Sequence, residues 1–136
     1  MKPLFFVVPG KPSAKKRPRF SRHSVYNSQK SVEDRFRWEL KKQLPKGFAM
    51  LPRDTALSVE CGFFLPIPKS VSKKQRSLMS DEKFWHTKKP DLDNHLKYVL
   101  DCMAAVVFCD DCSVVRISTV KKYSDAPRTE IVVRKV

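Results

Sequence analysis

Between residues 91 and 111 the chain places five of its fourteen acidic residues: Asp91, Asp93, Asp101, Asp110 and Asp111. Lys97 lies among them. Asp91 follows Pro90 at a predicted helix start, where a capping Asp and an acid in the first turn suit the unpaired N–H groups and the positive dipole end. That role accounts for Asp91 and Asp93. It leaves Asp93, Lys97 and Asp101 at i, i+4 and i+8, a slowly drifting stripe at ~100° per residue. It also leaves Asp110 and Asp111, which arrive together where a strand is expected to start. The chain as a whole carries a net charge of +14. A protein that holds a polyanion gains nothing from carboxylates beside phosphates unless a cation lies between them. Mg²⁺ suits that place: it takes hard oxygen ligands and keeps waters that a phosphate can replace. Such a cation can activate water and stabilise a leaving oxygen in phosphodiester hydrolysis. Lys97, one turn after Asp93, could hold the scissile phosphate. It could equally form an i, i+4 ion pair worth ~0.3–0.5 kcal/mol.

The partner implied by the charge is nucleic acid, whose phosphates are met by Lys and Arg with release of counterions. No acid occurs before Glu33, while Lys2, Lys11, Lys15, Lys16, Arg17, Arg19, Arg22 and Lys30 do. Pro9, Pro12 and Pro18 fall in the same stretch, so Gly10 to Asn27 reads as a long basic loop. Phe20 and Tyr26 interleave it with aromatics, a composition suited to backbone and unstacked bases. An anionic membrane surface lacks its usual carrier, a basic amphipathic helix with an aromatic apolar face. No apolar run approaches the ~18 residues that span a bilayer, so no membrane role is expected.

The acids must be positioned by a small set of elements. At 136 residues the length suits one compact domain over residues 1–136, and 41% apolar residues suffice for a core. Leu4 to Val8, ending at Pro9-Gly10, reads as an edge strand. Ser31 to Leu44 reads as a helix with Val32, Phe36, Leu40 and Leu44 on one stripe and a capping box formed by Ser31 and Asp34. Thr55 to Leu65 alternates as a half-buried strand, and Pro66-Ile67-Pro68 stops it. Ser70 to Met79, with Lys73, Lys74 and Arg76, reads as a short exposed helix. Asp91 to Phe108 is predicted as the second long helix, with Leu92, Leu96, Val99, Leu100, Met103 and Val107 sharing a face. Ser113 to Tyr123 and Thr129 to Val136 read as strands forming a C-terminal hairpin. The expected fold is mixed α+β: about four strands, mostly antiparallel, packed against two long helices.

Cys61, Cys102, Cys109 and Cys112 are even in number, but a chain of this size needs no staples. Cys109-x-x-Cys112 has the spacing of half a zinc site whose other half is missing, so it reads as incidental thiols. The first residues lack the order of a signal peptide, and a cytoplasmic protein is expected.

Lys88-Lys89-Pro90-Asp91-Leu92-Asp93-Asn94, followed by Lys97, Leu100-Asp101 and Asp110-Asp111, resembles the RusA family of Holliday junction resolvases. Phe6-Val7-Val8-Pro9-Gly10-Lys11-Pro12 with Lys16-Arg17-Pro18-Arg19 resembles that family's opening strand and basic loop. Phe64-Leu65-Pro66-Ile67-Pro68-Lys69-Ser70 with Ser72-Lys73-Lys74 resembles its central segment. The resemblance covers nearly the whole chain, in order. It implies a homodimer in which each protomer supplies one acidic site, and the pair cuts symmetry-related strands of a four-way junction. It implies Mg²⁺, with Mn²⁺ as a substitute. Asp91, Asp93 and Asp111 fall on the family's essential acids and Lys97 on its catalytic lysine. Asp110 is a further candidate ligand, with Asp101 and Asn94 in support. The expected DNA contacts are Lys11, Lys15, Lys16, Arg17, Arg19, Arg22, Lys69, Lys73, Lys74, Arg76, Lys88 and Lys89. Many relatives carry Leu-Asn-Gly where this chain has Met103-Ala104-Ala105, which suggests a helix that runs further or ends differently. Helical spacing points His95 away from Asp93, against a metal or general-base role. The same residues would serve a broader nuclease that cuts flaps or forks. A DNA-binding protein that has lost catalysis is disfavoured because every expected acid is present.

Overall fold

The computed structural model describes residues 1–17, 19–22 and 24–136, with the side chains of Arg19 and Phe20 also outside the description. Pro18 of the predicted basic loop and the expected DNA contact of Arg19 therefore lie outside it. The order is β1 (Leu4–Pro9), β2 (Arg19–Phe20), β3 (Val25–Tyr26), α1 (Lys30–Gln43), β4 (Leu57–Pro66), α2 (Lys73–Met79), α3 (Leu92–Met103), a 3₁₀ turn (Asp111–Ser113), β5 (Val114–Ser124) and β6 (Arg128–Lys135).

Alternation builds the sheet. In β4, Leu57, Val59, Cys61, Phe63 and Leu65 all point into the core. The β6 register sets Val133, Ile131 and Thr129 opposite Val59, Cys61 and Phe63, and β1 sets Leu4, Phe6 and Val8 opposite Val133, Ile131 and Thr129. One face is thus continuous and apolar, and α1 and α3 cover it with Phe36, Leu40, Tyr98, Val99, Cys102 and Met103. The other face of β1 shows Phe5 and Val7 to solvent. Among the described residues no helix is long and apolar enough to cross a membrane.

The predicted fold class holds, and several details differ. The sheet order is β1-β6-β4-β5, so β5 and β6 do not pair as a hairpin. β4 lies between them, parallel to β5 and antiparallel to β6. With its inward side chains all buried, β4 has its backbone N–H and C=O groups paired on both edges, and Asp125 to Pro127 cross its end from β5 to β6. That span of two strand spacings, roughly 10 Å, is within the reach of three residues. α1 begins one residue early: Gln29 is its N-cap, without a side-chain cap bond, and the Ser31–Asp34 capping box does not form. α3 stops at Met103 rather than Phe108, because Val107 and Phe108 turn into the core. Ala105 makes that turn at φ +67°, the left-handed region that glycine favours. The predicted loop from Gly10 to Asn27 holds the β2–β3 pair, in which Arg19 opposes Tyr26.

Candidate active site

Asp91 is the N-cap of α3, yet its carboxylate makes no capping bond. The backbone carbonyl of Asp91 accepts from Asn94 (3.1 Å) and His95 (3.3 Å) instead. Its carboxylate faces outward and pairs with Lys89 at 2.9 Å. Asp93 is exposed in the first turn, and its Oδ1 accepts from the Asn94 N–H at 3.0 Å. The helix's own N–H groups therefore leave the Asp91 carboxylate and Asp93 Oδ2 free. Behind them, Lys121 Nζ donates to the carbonyls of Lys88 (2.8 Å) and Pro90 (2.7 Å), fixing the entry to α3.

The second acidic group is the 3₁₀ turn before β5. Asp110 caps it: Oδ1 accepts from Cys112 N–H at 3.1 Å, and Oδ2 meets Arg53 at 2.9 Å. The Cys112 N–H, the hydrogen bond shared with Asp111 and the Arg53 charge hold Asp110 below the ordinary carboxylate range. Asp111 is pushed above it, first by that shared hydrogen bond, then by burial and by the charges of Asp110 and Asp101, against the pull of Lys97. Asp111 thus lies within Coulombic reach of Asp101 and Lys97, and the end of α3 and the start of β5 meet there.

Asp101 joins this group to the basic segment. Its Oδ2 lies 3.2 Å from Lys15 Nζ and 4.0 Å from Lys97 Nζ. Lys15 also donates to Glu33 Oε1 at 2.9 Å, and Asn27 donates to Oε2 at 2.8 Å. Glu33 is only 3% exposed. Burial alone would raise its carboxyl, but the bonds from Lys15 and Asn27 outweigh burial and hold it low. Residues 13–16 form a strap across both helix starts. Ser13 O accepts from His95 Nδ1 (2.9 Å), Ala14 O from Gln29 Nε2 (2.8 Å) and Asn94 O from Lys15 N–H (2.8 Å), while Lys16 N–H donates to Gln29 Oε1 (2.9 Å). A carbonyl only accepts, so His95 carries its proton on Nδ1. Its ring is fully buried and stacks on Phe63 at 5.0 Å, which gives it a packing role beneath the acids.

The family model of RusA endodeoxyribonucleases matches residues 9–134. The chain belongs to the RusA endodeoxyribonuclease family. It is also 33% identical over 138 aligned positions to the uncharacterised protein YqaN of Bacillus subtilis (strain 168), covering 96% of this chain and 95% of that one.

In this RusA-family chain, most of the expected site residues lie on α3 or in the turn before β5. Lys97 lies 4.0 Å from Asp101, and Asp111, next to Asp110, feels the charges of both. Asp91, Asp93 and Asn94 lie at the start of α3, one turn before Lys97. Among the described residues, no three His, Cys, Asp or Glu side chains converge to hold a metal ion. The exposed carboxylates of Asp91, Asp93 and Asp111 have the chemistry of a hard-cation site. Lys11, Lys16, Arg17, Arg22, Lys69, Lys73, Lys74, Arg76, Lys88 and Lys89 are exposed. Lys15 is not offered to DNA in this way, since Glu33 and Asp101 occupy its ammonium. Sequence reasoning missed Glu33, Lys121, Arg53 and Gln29. A signal existed for Glu33: with Phe36 and Leu40 it falls at i, i+3 and i+7, on the buried face of α1.

Proposed function

We propose that this nuclease is a divalent-cation-dependent endonuclease of branched DNA, acting as a homodimer on four-way junctions. The observation that carries the reading is the row of acids along α3 and the turn after it, set within a strongly basic surface. Asp91, Asp93 and Asp111 would hold Mg²⁺, or Mn²⁺ in its place. When bound, the cation supplies positive charge and Lewis acidity to the phosphodiester. Asp110 is committed to Arg53 and the Cys112 N–H, which favours Asp111 as the ligand of that pair. The Lys97 side chain is 63% exposed and only loosely held by Asp101, so it can swing to the scissile phosphate and stabilise its charge. Lys11, Lys16, Arg17, Lys88 and Lys89 are suited to carry the backbone of the DNA arms.

The test is cleavage of four-way, flap and fork substrates side by side, with Mg²⁺ or with EDTA. The wild-type protein should cut the four-way junction by paired symmetric nicks, and only with metal. Asp93→Asn should bind the junction as well or better while cutting falls by at least about a hundredfold. Normal cutting by Asp93→Asn would refute the site. Preferential cutting of flaps or forks would replace the junction reading by a broader nuclease built on the same residues.

A further inference from the structure

Trp85 is 61% exposed, yet its backbone is firmly held. Residues 84–86 run alongside the far end of β5. Trp85 bridges Lys122, His86 N–H donates to Lys121 O (3.1 Å) and Tyr123 N–H donates to Phe84 O (3.1 Å). Phe84 faces a hollow lined by Val71, Leu78 and Met79 beside α2, and His86 packs on Tyr123 at 4.8 Å. The neighbours of Trp85 in the chain are thus anchored while the indole itself stands out.

Its surroundings are cationic. Lys122 Nζ lies 4.7 Å from the centre of the indole, over one face. Lys83, Lys88 and Lys89 are exposed in the same segment. Lys121, adjacent to Lys122, reaches the carbonyls of Lys88 and Pro90, immediately before Asp91. The indole and the first acid of the site therefore hang from neighbouring residues of one strand. A flat apolar ring, rigidly presented among ammonium groups, matches an unpaired nucleobase on a phosphate backbone: the ring stacks and the lysines meet the phosphates. Paired DNA offers no such base, because its faces are already stacked.

We propose that Trp85 stacks on an unpaired base of the DNA strand entering the Asp91–Asp93 site, so that the protein selects branched or opened DNA over continuous duplex. This rests on the nuclease reading for its substrate. Trp38 supplies an internal control. It is 58% exposed under Lys42 at 4.3 Å, but Lys42 is paired with Glu39 at 3.2 Å and the ring lies on α1.

Trp38→Phe leaves Trp85 as the one indole of the chain. Titrated without metal, its emission should be quenched by oligothymidylate and by a forked DNA, and far less by a blunt duplex. In the wild-type background, Trp85→Ala should weaken binding of oligothymidylate and forked DNA about 5- to 150-fold, with duplex affinity nearly unchanged, and Trp85→Phe should restore much of the loss. Unchanged emission when anisotropy shows saturation would overturn the proposal. So would an equal loss on all three DNAs in Trp85→Ala. An emission shift with protein concentration alone would also overturn it, by assigning Trp85 to a contact between copies. Cleavage by the wild-type protein separates the two readings. Quenching without any cutting sinks the nuclease and keeps the stacking; cutting without quenching does the reverse.

Discussion

At the scale of single residues, the site is ordered by charges that the reaction would not touch. Glu33 is the clearest case, because one buried carboxylate receives Lys15 and Asn27 and so pins the strap over α3. Replacing it by Gln removes the charge and keeps the shape. Glu33→Gln should destabilise the fold by about 2 kcal/mol at neutral pH, read from the urea midpoint. The carboxyl is held below its ordinary range, so its contribution is present above the ordinary glutamate pKa and is lost as pH falls through the lower folded value. The wild-type protein should therefore lose stability on acidification below about pH 4, and Glu33→Gln should lose less over the same window. The five acids between residues 91 and 111 stood out in the sequence because acids are rare in a basic chain, and the family resemblance narrowed them to Asp91, Asp93 and Asp111 with Lys97. The work of Lys15 did not stand out, because within a basic run nothing distinguishes the one lysine that meets a buried acid eighteen residues later.

At the scale of elements, the periodic patterns were legible and the ends were not. An apolar run located β1 and alternation located β4, each within two residues, and the four-residue stripe located α1. The end of α3 was hidden because Val106 to Phe108 continue an apolar pattern that a helix could also bury. The chain instead turns at Ala105, a residue that pays about 1–2 kcal/mol for the left-handed conformation that glycine adopts readily. Ala105→Gly should raise the urea midpoint by the equivalent of about 1 kcal/mol with an unchanged slope. A fall in stability would mean that the Ala105 methyl makes packing contacts worth more than the strain. The C-terminal pair looked like a hairpin because short turns join antiparallel neighbours in most sheets. What sequence proximity does not reveal is that β4, nearly fifty residues upstream of β5, has the stronger demand for the middle position.

At the scale of the whole molecule, the net charge of +14 governs how the protein meets DNA. Metal-free binding to a four-way junction should weaken by about a thousandfold or more between roughly 50 and 200 mM salt. Replacing Lys16 by Ala should reduce the slope of log K against log salt by about one, a change visible in anisotropy titrations. A flat salt response would remove the strap from the DNA surface. The kind of partner was legible at this scale from the net charge, while the class of fold was legible from the periodic patterns of the elements. The charge of Asp101 felt by Asp111 was not, because it depends on where the strands lie. The strand order has one more consequence. β1 has β6 as its sheet neighbour, and their paired residues are about 120 or more apart in the chain. During synthesis β1 must wait for β6. Until then an apolar segment with open hydrogen-bonding edges is exposed, so the interval of greatest risk of misassociation spans the translation of the roughly 120 residues between the two strands.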